Sequence, residues 1–65
     1  MIIRINAEDV VVDENMTVAA LLKSLGYPDR GIAVAVDQAV VPRSRWATAL
    51  SDGAEIEVVT AVQGG

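Results

Sequence analysis

The C-terminus, Val62-Gln63-Gly64-Gly65, is the part of this sequence best suited to chemistry on the protein itself. Glycine has no Cβ, so a Gly-Gly end can extend into a narrow channel and adopt backbone angles closed to other residues. It presents one reactive group, the α-carboxylate of Gly65. We predict that Gln63, Gly64 and Gly65 form a flexible tail that enters a partner, with Gly65 as the modified residue. The alternative is a flexible end without a role.

Side chains of the catalytic type are scarce in the rest of the sequence. The 65 residues include no Cys and no His, which excludes cysteine nucleophiles, thiolate zinc sites and the usual general base near neutral pH. Glu55 and Glu57 share one face of a strand and are interpreted as solvated residues rather than a catalytic pair. The acidic residues at positions 8–14 lack the ligand spacing and central Gly of a calcium loop. The sequence therefore predicts no catalytic residue, no metal site and no bound cofactor.

Arg43 and Arg45 are the only clustered cations, and they stand beside the sole tryptophan, Trp46. One interpretation is structural: Trp46 closes one end of the core and the arginine stems pack over it. The other is functional: Arg43 and Arg45 dock an acidic partner surface. The sequence favours the first interpretation and leaves the second open.

A second candidate contact lies just before the tail. Along the last strand the outward positions change from Glu55 and Glu57 to Val59 and Ala61, so apolar atoms reach the surface. Exposed apolar surface often marks a partner site. We predict that Val59 and Ala61 form a docking patch that aims the tail into a partner enzyme.

Composition limits the partners and the class of protein. The net charge of −4 and the pI near 4.4 disfavour binding to nucleic acid, whose partners usually carry a basic patch. The longest stretches without charge are eight residues, far short of the ~20 that a membrane span needs. The N-terminus shows no basic region leading into an apolar signal core. We therefore expect a cytoplasmic protein, monomeric when free, that binds neither membranes nor nucleic acid.

The elements that must position the tail begin with a hairpin and a helix. Residues 1–6 alternate as a strand, residues 7–9 are interpreted as a connection, and residues 10–12 are a second β-branched run. Thr17 is a plausible N-cap for a helix whose apolar face comprises Val18, Leu21, Leu22 and Leu25. Gly26 suits the left-handed residue that ends a helix.

Three further strands are predicted after the helix. Residues 32–36 are apolar on both faces, which indicates a central strand that is covered on one side and crowded on the other. Residues 40–41 can pair briefly before Pro42, which confines that strand to an edge. Residues 55–62 form the last strand. The order predicts an α+β fold of the β-grasp kind: a mixed, four- to five-stranded sheet with one helix packed across it, in one domain over residues 1–62.

With these elements in order, the chain resembles the ThiS family, the ubiquitin-like sulfur carriers of thiamine thiazole biosynthesis. The motifs that carry the resemblance are Val41-Pro42-Arg43-Ser44 with Trp46, the turn Leu50-Ser51-Asp52-Gly53, and Gly64-Gly65. The Gly-Gly end is shared by all ubiquitin-like carriers, whereas the Pro-Arg and Trp stretch is more particular to this family. Ala54 departs from the pattern, because these proteins often carry an acidic residue after the turn glycine. The resemblance covers essentially the whole chain.

The resemblance implies a carrier rather than an enzyme. An E1-like adenylating enzyme of the ThiF/MoeB kind would use ATP and magnesium to adenylate the Gly65 carboxylate. A persulfide sulfur donor would then displace AMP and leave a thiocarboxylate, from which a ThiG-like thiazole synthase takes sulfur. Alternatives are the small sulfur-carrying subunit of molybdopterin synthase, a ubiquitin-like protein modifier joined to lysines, and a purely structural interaction module.

Overall fold

The order of hairpin, helix and further strands is present in the computed structural model, which describes residues 1–60. Its elements are β1 (Ile2–Ile5), β2 (Glu8–Val11), α1 (Val18–Ser24), β3 (Ile32–Val36), β4 (Ala39–Val40), a 3-10 turn (Arg43–Arg45) and β5 (Glu55–Thr60). The strands form one sheet in the order β2-β1-β5-β3-β4, in which β1 and β5 run parallel and the other neighbours are antiparallel. This mixed sheet with one helix confirms the predicted α+β, β-grasp fold.

The β1–β2 hairpin turns one residue earlier than the sequence suggested. Asn6 and Ala7 have φ of 48° and 69°, and Ile5 pairs with Glu8 across this two-residue turn. Two consecutive positive φ values are what the turn that matches strand twist requires. The prediction that residues 7–9 form the connection was therefore wrong, because β2 already begins at Glu8.

The helix has the predicted start and stop. The Thr17 hydroxyl oxygen accepts the backbone N–H of Ala20 at 3.1 Å, which satisfies one of the free donors of the first turn. Gly26 follows the helix at φ +81°, the left-handed conformation that ends helices. Leu25 was expected on the apolar face but is 44% exposed, because it is the C-cap residue and lies beyond the last full turn.

The core lies between α1 and one face of the sheet. The residues with less than 2% exposure are Ile3, Leu21, Val34 and Ile56, from β1, α1, β3 and β5. Ala54 is also buried, at the entry to β5. The Ser51-Asp52-Gly53 turn is present as predicted, with Gly53 at φ +81°.

The prediction for residues 32–36 was half right. β3 is an internal strand with the predicted bounds, but the middle strand of the five is β5. The second face of β3 is not crowded: Ala33 is exposed and Ala35 is half-buried. No layer among residues 1–60 covers that face, which we call the open face. β4 ends before Pro42 and lies at the sheet edge, as the missing amide donor of proline predicts.

Candidate functional site

The strand that precedes the tail is β5, and it is held on both sides. It pairs in parallel with β1 at Glu55 and Ile56, and in antiparallel with β3 from Ile56 to Thr60. Ile56 and Val58 are buried against the core, while Glu55, Glu57 and Val59 lie on the open face. This is the alternation predicted from the sequence. The chain segment that leads to the C-terminus therefore starts from the middle strand of the sheet.

The residues predicted to carry the chemistry lie outside the described residues. They are Gln63, Gly64 and Gly65, together with the docking candidate Ala61. Gly65 is five residues beyond Thr60, the last residue described. Covalent geometry limits that span to ~17 Å between the two Cα atoms. A partner that reaches the Gly65 carboxylate must therefore contact, or closely approach, the domain near the end of β5.

The open face carries an apolar strip around Val59. Val59 is 60% exposed and pairs with Ala33 on β3, and Val40 is 75% exposed and pairs with Ala35. These four aliphatic residues lie on three adjacent strands, and we call them the Val59 strip. Alternation along the sequence predicted the exposure of Val59 but not the part that Ala33, Ala35 and Val40 take in this surface. The small alanines that alternate along residues 32–36 were the available signal, but the face that carries them was predicted to be crowded and not open.

Acidic side chains border the Val59 strip. Glu57 lies opposite Ala35 in the β3–β5 register, and Glu55 lies two residues back along β5. On β1, Arg4 is paired in register with Glu55, and its guanidinium Nε is 3.4 Å from the Asp9 carboxylate. Both side chains of that ion pair are largely exposed, so it contributes little to stability. The open face thus offers an apolar strip beside a net negative charge.

The structure assigns Trp46 the structural role that the sequence favoured. Its side chain is buried, and the indole N–H donates to the Val41 carbonyl at 3.2 Å. The Arg43 guanidinium lies 5.9 Å from the centre of the Trp46 ring, within the range of a cation–π contact. Arg43 is also 3.4 Å from the Asp29 carboxylate, with both side chains mostly exposed. Arg43 is therefore already engaged within the domain.

Arg45 and Arg43 open onto two different grooves on the helix side of the sheet. Arg45 lines a groove of about 490 Å³ together with Val18 and Leu50. Arg43 lines another, of about 650 Å³, together with Leu22. Val59 projects from the opposite face. The Arg45 groove also reaches Val40, a member of the Val59 strip on the edge strand β4, whereas no residue of the strip lines the Arg43 groove.

Among residues 1–60, no group of three or more Asp, Glu, His or Cys side chains is arranged to hold a metal ion. In the same range, no helix has both the length and the apolar character needed to cross a membrane.

Comparison with known proteins matches this chain to the model of one family and to solved structures with a similar fold. Residues 3–65 match the model of the ThiS family. The chain is similar to the crystal structure of a thiamine biosynthesis protein (ThiS) from Geobacter metallireducens, with a TM-score of 0.82 and 28% identity over 100% of both chains. A solution structure of a thiamine biosynthesis protein from the same organism gives a TM-score of 0.80 at 28% identity, over 100% of this chain and 88% of the other.

A curated relative adds a different kind of similarity. The chain is 40% identical over 62 residues to a thiazole synthase of Paramagnetospirillum magneticum. The match takes in 94% of this chain but only 19% of that relative's length. A segment similar to this chain therefore occurs inside a much longer polypeptide.

Proposed function

This chain belongs to the ThiS family, and from that premise we propose that it is a sulfur carrier of thiamine biosynthesis, loaded at the Gly65 carboxylate. The observation that carries the proposal is the position of β5. The middle strand of the sheet ends at Thr60, five residues before Gly65 in the sequence, and presents the exposed Val59 immediately before Thr60. The domain supplies a rigid base and a docking face, and the terminus supplies the reacting group.

The first step is activation of a poor electrophile. A carboxylate oxygen of Gly65 attacks the α-phosphorus of ATP, pyrophosphate leaves, and an acyl adenylate forms. ATP and its magnesium are held by an E1-like adenylating enzyme and not by this chain. Because the carrier itself offers no His and no Cys, proton transfer and charge stabilisation in this step belong to the partner.

The second step exchanges oxygen for sulfur. A persulfide sulfur of the donor attacks the acyl carbon and expels AMP, which gives an acyl disulfide. A second thiol then attacks the donor-side sulfur of the S–S bond, so that a new disulfide forms between these two sulfurs, a proton is released and the thiocarboxylate is left on Gly65. A carrier without cysteine offers the donor no side-chain thiol, so sulfur is attached through the acyl group of Gly65 and not through a side-chain disulfide.

Thiazole synthase is the proposed acceptor of that sulfur. Support comes from the thiazole synthase of Paramagnetospirillum magneticum, in which a segment similar to this chain is part of the same polypeptide. Two proteins that must meet in every reaction cycle gain effective concentration when they are linked in this way. Here we propose that the same encounter occurs between the carrier and its acceptor enzyme.

We further propose that the Val59 strip is the docking face for the activating enzyme. It is apolar, exposed and next to the exit of the tail, whereas Arg43 and Arg45 lie on the helix side of the sheet. Glu55 and Glu57 border the strip, so a complementary partner surface would be apolar with a cationic rim.

Intact mass spectrometry of the full chain tests the proposal directly. The protein is incubated with the adenylating enzyme, ATP, magnesium and a persulfide donor. We expect an AMP adduct followed by a gain of about 16 Da, oxygen replaced by sulfur, localised to Gly65. The matched control lacks residues 64–65 and should keep its mass.

Three further results separate the alternatives. An unchanged mass with an enzyme that adenylates its own known carrier would overturn the proposal and leave a β-grasp interaction module. Conjugates of high mass on lysines of other proteins would indicate a protein modifier. Rescue of a gene deletion by thiazole, with molybdenum-enzyme activity intact, separates the thiamine pathway from that of molybdopterin.

A further inference from the structure

Asn6 completes the β1–β5 ladder with its side chain. Its backbone N–H donates to the Ile56 carbonyl at 2.9 Å, as in an ordinary parallel pair. The next bond of such a ladder would use the main-chain carbonyl of Asn6. At Asn6 the chain already turns into β2, with φ 48°, and the side-chain Oδ1 accepts the Val58 N–H instead, at 2.9 Å.

A third segment of the chain meets Asn6 from the helix side. The Asn6 Nδ2 donates to the Tyr27 hydroxyl at 3.4 Å. Tyr27 is half-buried, and its backbone N–H donates to the Leu22 carbonyl at 3.0 Å, which fixes it to the end of α1. Because both ends of the Asn6 amide are engaged, the Oδ1 is oriented toward Val58. The hairpin turn, the loop after α1 and β5 are therefore joined at one side chain.

This junction lies at the base of the tail. Residues 56, 58 and 60 direct their backbone polar groups to the β1 side of β5, since residues of a strand alternate. β1 ends at Ile5, so the Asn6–Val58 bond is the last that residues 1–60 make to β5 on that side. On the other side β3 continues, with Ile32 opposite Thr60. Without the Asn6 side chain, the last residues of β5 would be hydrogen-bonded on the β3 side only.

We propose that Asn6 is a positioning residue, which fixes the direction of β5 beyond Val58 and so aims residues 61–65 at the active site of the adenylating enzyme. The inference rests on the proposed function. Asn6 lies outside the Val59 strip, so its loss should leave docking intact and misdirect the bound tail. Misplacement of a reacting group by about 1 Å can cost ~100-fold in rate, and partial misdirection costs less.

The test measures pyrophosphate release by the adenylating enzyme with ATP, magnesium and the full chain at varied concentration. Asn6→Gly and Asn6→Asp both accept the left-handed backbone, but only Asp keeps an oxygen for the Val58 N–H. We expect Asn6→Gly to lower kcat about tenfold with KM changed less than about twofold, and Asn6→Asp to restore most of kcat. Ala7→Gly, at the other positive-φ position of the turn, is the matched control and should resemble the wild type.

Tyr27→Phe gives a second, milder variant that keeps the ring in place if Asn6→Gly does not fold. It removes the hydroxyl that orients the Asn6 amide and should lower kcat about threefold, again with little change in KM. Equal kcat for wild type, Asn6→Gly and Tyr27→Phe would overturn the inference alone. Equal losses of kcat in Asn6→Gly, Asn6→Asp and Ala7→Gly would also overturn the inference, because they would mean a general loss of structure. A wild-type chain that releases no pyrophosphate would overturn the proposed function itself.

Discussion

The carboxylate of Asp52 accepts the backbone N–H of Ile2 at 2.9 Å, across 50 positions of sequence. The Ile2 carbonyl in turn accepts the Gly53 N–H at 2.7 Å. At the other end of the same strand pair, the Asn6 side chain accepts the Val58 N–H. The parallel β1–β5 ladder is therefore closed at both ends by a side-chain oxygen. Because β5 is the middle strand, these two closures fix the strand that carries the terminus.

Asp52→Ala should destabilise the domain by about 1 kcal/mol, since the Ile2 N–H loses its protein acceptor at an exposed site. For a domain of this size that corresponds to a fall in Tm of roughly 4–8 °C. Asp52→Asn keeps an oxygen at the same place and should recover most of the loss. Thermal unfolding followed by circular dichroism measures all three proteins. Equal Tm values for wild type and Asp52→Ala would mean that water replaces the carboxylate at no cost.

Gly53→Ala should cost about 1–2 kcal/mol through backbone strain alone, because Gly53 has φ +81°. A Cβ at this position meets no atom within 4 Å, so steric contact does not contribute. Gly53→Asn is the matched variant, since asparagine enters the left-handed region more readily than alanine. Urea unfolding should rank the free energies of unfolding as Gly, then Asn, then Ala. An alanine variant as stable as the asparagine one would contradict the strain argument.

Local signals predicted much of the fold. Thr17, Gly26 and Pro42 each act within a few residues, as helix cap, helix stop and strand stop, and each lies where the sequence placed it. The β1–β2 turn was predicted one residue too late, because Ala7 has φ 69°, a conformation that alanine rarely adopts. The pairing of Ile5 with Glu8, and not any local preference, imposes it.

Less of the site could be predicted, because its contacts are distant in sequence. Alternation along β5 placed Val59 outward, beside Glu57. Ala33 joins it only because β3 pairs with β5, and periodicity within one strand cannot supply that register. The Asn6–Val58 bond joins residues 52 positions apart. Side-chain hydrogen bonds of this range depend on the assembled sheet, so no sequence pattern indicates them.

Trp46→Phe should destabilise the domain by roughly 1–3 kcal/mol. The substitution removes the N–H that satisfies the Val41 carbonyl at 3.2 Å, and it leaves space at the end of the core. Arg43→Ala removes only a partly exposed cation–π contact and an exposed ion pair, so a loss of about 0.5–1 kcal/mol is expected. Urea unfolding followed by circular dichroism compares the two. A larger loss for Arg43→Ala than for Trp46→Phe would contradict the assignment of Trp46 to the core.

Val59→Glu tests which surface meets the activating enzyme. Burying a valine side chain contributes ~1.5 kcal/mol or more, so a carboxylate at position 59 should raise the Kd about tenfold or further. Val11→Glu is the matched control: Val11 is 77% exposed on the same face of the sheet, on the far edge strand β2. That variant carries the same charge change and should shift the Kd less than about twofold, because β2 lies two strands from β5, the strand that carries Val59.

The double variant Arg43→Ala/Arg45→Ala completes that comparison, since it removes the two arginines next to Trp46 and substitutes no residue of the Val59 strip. Titration calorimetry with the adenylating enzyme, at low and at 0.15 M salt, measures each Kd. We expect the double variant to bind like the wild type at both salt concentrations. A tenfold weakening by the arginine variant, with Val59→Glu unchanged, would place the enzyme on the helix side.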